Sequence, residues 1–172
     1  MVRYAAAAVA RIASAAVVAV VCLLAVGCGG SEDADGSLAD GRYYGYIRAV
    51  DVSSSPAAIR FDQAEFLTGA EANRAALEDG VIAEGETVPN DYYVRNPDTT
   101  EVELPVASDV AVTRVECNGG CAEAVVGSFE PFAESFANGE PTLEDEYRGA
   151  QSQYWVTVEG GTVVAIDEQY LP

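Results

Sequence analysis

The sequence predicts an α+β domain: a curved, mostly antiparallel sheet with two short helices, and possible closure into a small OB-like barrel. Two observations support this. Short segments rich in aromatic and β-branched residues alternate with turn signals, which is typical of strands joined as hairpins. Two other segments carry helical signals. The predicted order is ββαβββαββ, and the domain is expected over residues 42–172, after a leader at 1–27 and a linker at 28–41.

The first half of the domain begins with a predicted hairpin. Residues 43–52 form its first strand, in which Gly45 indicates a bulge or tight curvature. Residues 53–56 turn the chain and 58–61 return as the second strand, while 62–67 are predicted to carry one helical turn. Thr68 and Glu71 match a capping box. They predict a helix over 69–79 that Gly80 ends and whose small face, with Ala72, Ala75 and Ala76, packs on the sheet.

The second half contains the remaining strands and the second helix. Residues 88–95 enter a third strand, and 96–98 form a turn in which Asp98 bonds to nearby backbone. Alternating valines predict two further strands, at 102–106 and 110–112. A second helix follows Ser128 and ends at Asn138-Gly139; its apolar face should join the core through Phe129, Phe132 and Phe136. Residues 154–158 and 163–167 form a last hairpin across a Gly-Gly turn.

The first 27 residues have the pattern of a bacterial signal peptide. They contain Arg3 and Arg11, no acidic residue, and an uncharged run over 12–26 that would span about 22 Å of a roughly 30 Å hydrocarbon core. The run ends in Leu-Ala-Val-Gly-Cys, a lipobox, which predicts cleavage before Cys28 and attachment of a diacylglycerol to its thiol. Ordinary secretion after Gly27 and a retained helical anchor are the alternatives, and Arg11 argues against the anchor. Cys22 lies in the segment to be removed.

Composition excludes several kinds of chemistry. The net charge is −19, and loss of the leader would leave seven basic residues against 28 acidic ones, a charge of −21 that disfavours nucleic acid. The chain has no His and no Lys, which excludes Ser-His-Asp and Cys-His catalysis, Schiff-base lysines and imidazole-bound metals. No cofactor is indicated.

The linker is rich in Gly, Ser and acidic residues, so it is predicted to be a disordered spacer. Asp33, Asp35 and Ser37 resemble the start of a calcium loop. However, Leu38 stands where that loop requires glycine, and the chain lacks the Glu needed at its twelfth position.

Cys117 and Cys121 flank an Asn-Gly-Gly turn. Outside the cytoplasm, such a pair is expected to form a local disulfide. A metal site would need further ligands that the chain lacks.

A cluster of polar and aromatic residues near the ends of the second and third predicted strands is the candidate binding surface. Its members are Asp62, Glu65, Asn90, Asp91, Tyr92, Tyr93 and Arg95. The carboxylates suit a cation or sugar hydroxyls, and the tyrosines suit stacking. The alternative is structural: turn and cap duties for Asp62 and Asn90, and packing for the tyrosines.

Several segments resemble one group of proteins. They are Tyr44-Gly45-Tyr46-Ile47 with Val50-Asp51, Ile59-x-Phe61-Asp62-x-Ala64-Glu65-Phe66-Leu67-Thr68-Gly69-x-Glu71-Ala72, Pro89-Asn90-Asp91-Tyr92-Tyr93-Val94-x-Asn96, and the closing Glu168-Gln169-Tyr170-Leu171-Pro172. The group is that of uncharacterised bacterial secreted proteins and lipoproteins. The resemblance covers about residues 42–172 and implies an extracytoplasmic domain, without assigning an activity.

Three functions are compatible with the sequence. The first is a non-catalytic, membrane-tethered module that binds a protein or glycan of the cell envelope. The second is a carboxylate-dependent hydrolase of envelope glycans, with an acid–base pair such as Asp62 and Glu65. The third is a surface calcium-binding domain.

Overall fold

The structure is a computed structural model that describes residues 37–118, 121–137 and 147–171. Its strands are β1 (Gly41–Asp51), β2 (Ala58–Thr68), β3 (Tyr92–Arg95), β4 (Glu101–Asn118), β5 (Cys121–Gly127), β6 (Gln153–Glu159) and β7 (Thr162–Gln169). Its helices are α1 (Gly69–Glu78) and α2 (Phe129–Ala137), with 3-10 turns at Pro89–Asp91 and Gly149–Gln151. The leader, Cys28, Asp33 and Asp35 lie outside the described residues, and so does Asn138-Gly139. The predictions made for them remain predictions.

The strands form one mixed sheet in the order β3-β2-β1-β6-β7-β4-β5, with an additional pairing of β2 with β4. All of the pairings are antiparallel except that of β4 with β7. The predicted α+β class and mostly antiparallel sheet are therefore confirmed. In the described parts of the chain, no helix is long and apolar enough to cross a membrane.

One face of the sheet forms the main hydrophobic core. Strands β1, β2, β4, β6 and β7 contribute alternate residues to it, and α2 contributes a phenylalanine. The fully buried members include Ile47, Ile59, Phe61, Leu104, Tyr154, Val156, Val158, Val163, Ile166 and Phe132. Between the register irregularities the core takes every second residue of a strand, so the residues between them are directed to the opposite face.

The folded part reaches further towards the N-terminus than the predicted boundary at residue 42. Leu38 is only 4% exposed and belongs to the core cluster. The backbone oxygen of Ala39 accepts a hydrogen bond from the Tyr43 hydroxyl, and Asp40 accepts one from the backbone of Gly160. These contacts leave a shorter linker than the sequence indicates.

Residues 62–67 continue β2, so the helical turn predicted for them is wrong. Asp62 pairs with Tyr46 of β1 and with Glu101 of β4, and Phe66 pairs with Val94 of β3. The polar–apolar sequence here is a period-2 alternation, and strand partners on both sides stabilise it.

Gly45 permits a close approach between β1 and β2. A Cβ at this position would lie 2.9 Å from the Phe61 ring and closer still to the backbone oxygen of Asp62. The irregularity in strand register lies nearby, between Ile47 and Ala49. The alternative of a bulge at Gly45 therefore places the irregularity two residues too early, and the alternative of tight curvature stays a prediction.

Helix α1 spans the predicted segment, but the capping box is absent. Thr68 is the N-cap residue, yet its side chain makes no capping hydrogen bond. The helix ends before Gly80, which has the predicted positive φ, +71°. Its buried face is Ala72, Ala75 and Ala76, as predicted; Ala72 and Ala76 form a second, smaller core with Val88.

Strand β4 replaces the two short strands predicted at 102–106 and 110–112. It runs unbroken from Glu101 to Asn118, with a shift in its register against β7 between Val106 and Ala111. The gap predicted between the two short strands is therefore this register shift, and β5 was not predicted from the sequence. In the β4–β5 hairpin, Cys117 pairs with Ala122 and Cys121 with Asn118. The disulfide predicted between the two cysteine side chains lies outside what the structure describes.

The third predicted strand is confirmed over Tyr92–Arg95, and residues 89–91 before it form a 3-10 turn. Three further local predictions are confirmed. Phe132 of α2 is fully buried, and Phe129 and Phe136 pack against the core. The β6–β7 hairpin turns at Gly160 and Gly161, whose φ angles are +56° and +73°. In the turn before β4, Asp98 accepts hydrogen bonds from the backbone and hydroxyl of Thr100, and these bonds lower its pKa.

Candidate binding face

Four aromatic side chains lie together on the sheet face opposite the core, and we call this surface the aromatic face. Its rings are Tyr44, Phe66, Tyr92 and Trp155, from β1, β2, β3 and β6. Strand alternation places Tyr44 and Trp155 on this face, because each directly follows a residue that packs into the core. Tyr44 and Trp155 are also register partners across β1 and β6.

The four rings form one continuous cluster. The centroid of Tyr44 lies 5.1 Å from those of both Phe66 and Trp155. Phe66 stacks on Tyr92 at 5.6 Å and meets Trp155 edge-on at 6.2 Å. Tyr44 is buried, while the other three rings are half-buried and therefore partly open to solvent. These spacings are those of favourable aromatic pairs.

A buried carboxylate borders the cluster on one side. Asp62 is 1% exposed, and its Oδ2 accepts hydrogen bonds from Arg48 Nε at 3.0 Å and Nη2 at 2.5 Å. Asn96 Nδ2 donates to both oxygens of the same carboxylate, at 3.1 and 3.2 Å. The Arg48 guanidinium also lies 4.3 Å from the centre of the Tyr46 ring. The charges of Arg48 and Asp62 therefore balance in this Arg48–Asp62–Asn96 triad. Its hydrogen bonds hold the Arg48 and Asn96 side chains in place against Asp62.

A second ion pair borders the cluster on the other side. The guanidinium of Arg42 lies 4.8 Å from the centre of the Trp155 ring, and its Nη2 is 3.2 Å from Asp167 Oδ2. Trp155 Nε1 donates a hydrogen bond of 2.8 Å to Gln169 Oε1. Trp155 is thus oriented by a cation over its ring and an amide at its edge.

Two polar atoms on this face have no hydrogen-bond partner among the described residues. They are Tyr44 Oη and Asn96 Oδ1, and both are buried. Burial is also the main cause of the raised pKa of Tyr44, with the nearby Tyr46 and Tyr92 adding to it. The Tyr44 hydroxyl therefore stays protonated and able to donate at any physiological pH.

The predicted cluster of seven residues is divided between the two faces of the sheet. Asp62 and Tyr92 belong to the aromatic face. Tyr93 and Arg95 lie on the other side, against α1: Arg95 Nη2 is 2.7 Å from Asp79 Oδ1, and the Tyr93 hydroxyl donates to Asp79 Oδ2 at 3.1 Å. The bond from Arg95 lowers the pKa of Asp79. These two residues tie β3 to α1.

Glu65 is exposed and pairs in register with Arg95. Both residues line an open cleft of about 260 Å³ at the point where the partner of β2 changes from β4 to β3. The cleft is also lined by Gln63, Asp98 and Thr100.

Asn90 and Asp91 lie in the 3-10 turn before β3, with φ angles of +57° and +58°. Asn and Asp adopt this left-handed conformation more readily than most residues. This turn conformation agrees with the alternative interpretation of Asn90, in which the residue serves the turn and not a ligand.

Five residues of this surface are absent from the cluster predicted from the sequence: Tyr44, Phe66, Trp155, Arg48 and Asn96. A signal for Phe66 was present, because the alternation of Asp62, Ala64 and Phe66 continues one strand face. A helical turn over 62–67, as predicted, would interrupt this alternation, so Phe66 is not assigned to a strand face by that prediction.

This geometry supports neither of the two alternative functions, which are hydrolysis of glycans by paired carboxylates and binding of calcium. Asp62 and Glu65 are three residues apart in a continuous strand, so their carboxylates are directed to opposite faces and cannot flank one bond. In the described portion of the chain, no group of three or more Cys, Asp or Glu residues could hold a metal ion.

Comparison of the chain with protein-family models, with curated proteins and with solved structures gives no match in any of the three.

Proposed function

We propose that this chain is a membrane-tethered, non-catalytic binding module of the bacterial cell envelope, which binds its partner through the aromatic face. The observation that carries the proposal is a contiguous cluster of four rings outside the core of a strongly acidic domain. Partly exposed apolar clusters rimmed by polar groups mark interaction sites on soluble proteins.

The fold proposed for this module is a small OB-like barrel. Five pairings support it, because they return to their starting strand: β1 with β2, β2 with β4, β4 with β7, β7 with β6, and β6 with β1. All five strands contribute to a single core, which Phe132 of α2 also enters. A barrel would hold the aromatic face on a rigid outer wall.

The tether in this proposal is a lipid on Cys28, as in the secreted proteins and lipoproteins that the chain resembles. The lipobox and the leader before it support this assignment. Residues 28–36 would then link the lipid to the folded part, which begins near Leu38.

Replacement of Cys28 by alanine is expected to move the protein from the detergent phase to the aqueous phase when cells are extracted with Triton X-114. The variant lacks the thiol that carries the diacylglycerol, while its fold is unaffected. The matched control is Cys22→Ala, which changes a cysteine of the leader and should leave partitioning as in the wild type. A Cys28→Ala protein that has lost its leader and still stays in the detergent phase would show that the anchor is not at this residue.

The binding role is tested by retention of envelope components. Tyr92→Ala removes a half-buried ring that stacks on Phe66, and it should strongly reduce what the immobilised protein retains from an envelope extract. Tyr170→Ala is the matched control, because Tyr170 is 38% exposed and outside the aromatic face. Equal retention by the two variants, with both shown to be folded by circular dichroism, would refute binding through the aromatic face.

A further inference from the structure

The two unpartnered polar atoms lie on either side of one small residue. Tyr44 pairs with Ala64 across β1 and β2, and Asn96 directly follows Arg95, the partner of Glu65 across β2 and β3. Neighbouring strands are about 4.8 Å apart, so Tyr44 and Asn96 flank Ala64 on the aromatic face. Ala64 itself is only 7% exposed, so the larger side chains around it cover its methyl group.

Buried polar groups in native proteins are almost always hydrogen-bonded, so two unpartnered ones on the same face call for a physical reason. The Asn96 nitrogen lies 3.1 and 3.2 Å from the two oxygens of the Asp62 carboxylate, and this contact fixes the orientation of the amide, whose oxygen has no partner among the described residues. The Tyr44 ring is likewise fixed by Phe66 and Trp155. Both atoms are therefore held in position, and neither has a hydrogen-bond partner among the described residues.

These atoms define the chemistry of a complementary ligand. Asn96 Oδ1 requires a donor, and Tyr44 Oη can donate or accept, so hydroxyl groups satisfy both. An anion is disfavoured, because the oxygen atoms of Asn96 and Asp62 would repel it and the chain has a net charge of −19. A cation is not required, because Arg48 already balances Asp62. The surrounding rings offer an apolar surface to C–H groups.

We propose that the aromatic face binds neutral saccharides, a ligand class that rests on the binding function proposed above. Sugar hydroxyls bond to Tyr44 Oη and Asn96 Oδ1, and the C–H face of a sugar ring packs on Trp155 or Tyr92. Because Tyr44 Oη is buried beside Tyr46 and Tyr92, one of these two half-buried rings turns aside when the ligand enters. Rotation of such side chains is fast compared with binding.

The test uses Trp155, which is the only tryptophan of the chain and therefore reports on this face alone. The full chain is purified in a detergent without a sugar headgroup and titrated with neutral oligosaccharides of glucose, mannose, galactose and N-acetylglucosamine. Oligogalacturonate serves as the anionic comparator. A saturable change in Trp155 fluorescence is expected with at least one neutral sugar and not with oligogalacturonate.

A pair of adjacent tyrosines provides matched variants. Tyr44→Phe removes only the unpartnered hydroxyl, so saccharide binding should weaken by about tenfold, as for the loss of one hydrogen bond, without a decrease in Tm. Tyr43→Phe removes a hydroxyl that bonds to Ala39 on the core side, so Tm should fall while binding is unchanged. This opposite pattern separates a ligand contact from a structural one.

The outcomes separate this inference from the proposed function. If no neutral sugar binds, but Tyr92→Ala still abolishes retention of an envelope component, the ligand class is wrong and the binding face stands. If neither is observed, the proposed function fails as well. Unchanged saccharide affinity in Tyr44→Phe, or a crystal structure in which buried water satisfies both atoms beneath a closed surface, would also overturn the inference.

Discussion

Replacement of Arg48 by methionine is expected to lower the free energy of unfolding by about 2–3 kcal/mol, at or just below the lower limit for breaking a fully buried ion pair. Asp62 would remain almost completely buried with only Asn96 as a hydrogen-bond donor. Methionine retains most of the apolar length of the arginine side chain, so the effect isolates the charge. Because 36% of the Arg48 side chain is exposed, water compensates part of the loss. Urea denaturation at neutral pH measures the difference.

A matched variant and a second substitution make this test specific. Arg60→Met removes a salt bridge between half-exposed side chains, Arg60 and Glu101, and should cost less than about 1 kcal/mol. Asp62→Asn combined with Arg48→Met should recover part of the stability, because no buried charge is then left unbalanced. Equal losses in Arg48→Met and Arg60→Met would contradict the structural role given to the Arg48–Asp62–Asn96 triad.

Replacement of Phe132 by alanine is expected to cost about 3–5 kcal/mol, as is typical of a large aromatic residue deleted from a core. Phe132 is fully buried, and its ring lies 5.1–6.0 Å from those of Phe129, Phe136, Tyr147 and Tyr154. It is the main contact of α2 with the strands. The loss can be measured by thermal and urea denaturation, together with the near-ultraviolet circular dichroism of the aromatic cluster.

The control for this substitution is Val126→Ala, which shortens a side chain that is 87% exposed on β5. Its effect should be within about 0.5 kcal/mol of zero, as for most surface substitutions. A Phe132→Ala protein as stable as Val126→Ala would mean that α2 is not part of the core.

The sequence predicts those parts of the fold that depend on residues close in the chain. The Gly160-Gly161 turn, the Phe132 stripe and the end of α1 at Gly80 are confirmed because each rests on local backbone or periodicity rules. The strand at 62–67 and the unbroken β4 are different. Both are stabilised by partner strands that are distant in sequence, and a local pattern does not contain those partners.

The candidate site shows the same division. Asp62 stands out in the sequence as a polar residue beside a strand, but its partners Arg48 and Asn96 are 14 and 34 residues away. Tyr92 was singled out, whereas its ring partner Phe66 and the further rings of Tyr44 and Trp155 were not. The aromatic face is assembled from four strands, so it depends on the sheet order, which local patterns in the sequence do not contain.

The sheet order also has a consequence for the timing of folding. Strand β7 is the last strand along the chain, yet it lies inside the sheet between β6 and β4. Strand β4 can pair with β2 before β7 is synthesised, but the gap between β6 and β4 stays open until residues 162–169 are available. Completion of the sheet therefore waits for β7, and until then the facing edges of β4 and β6 stay unpaired.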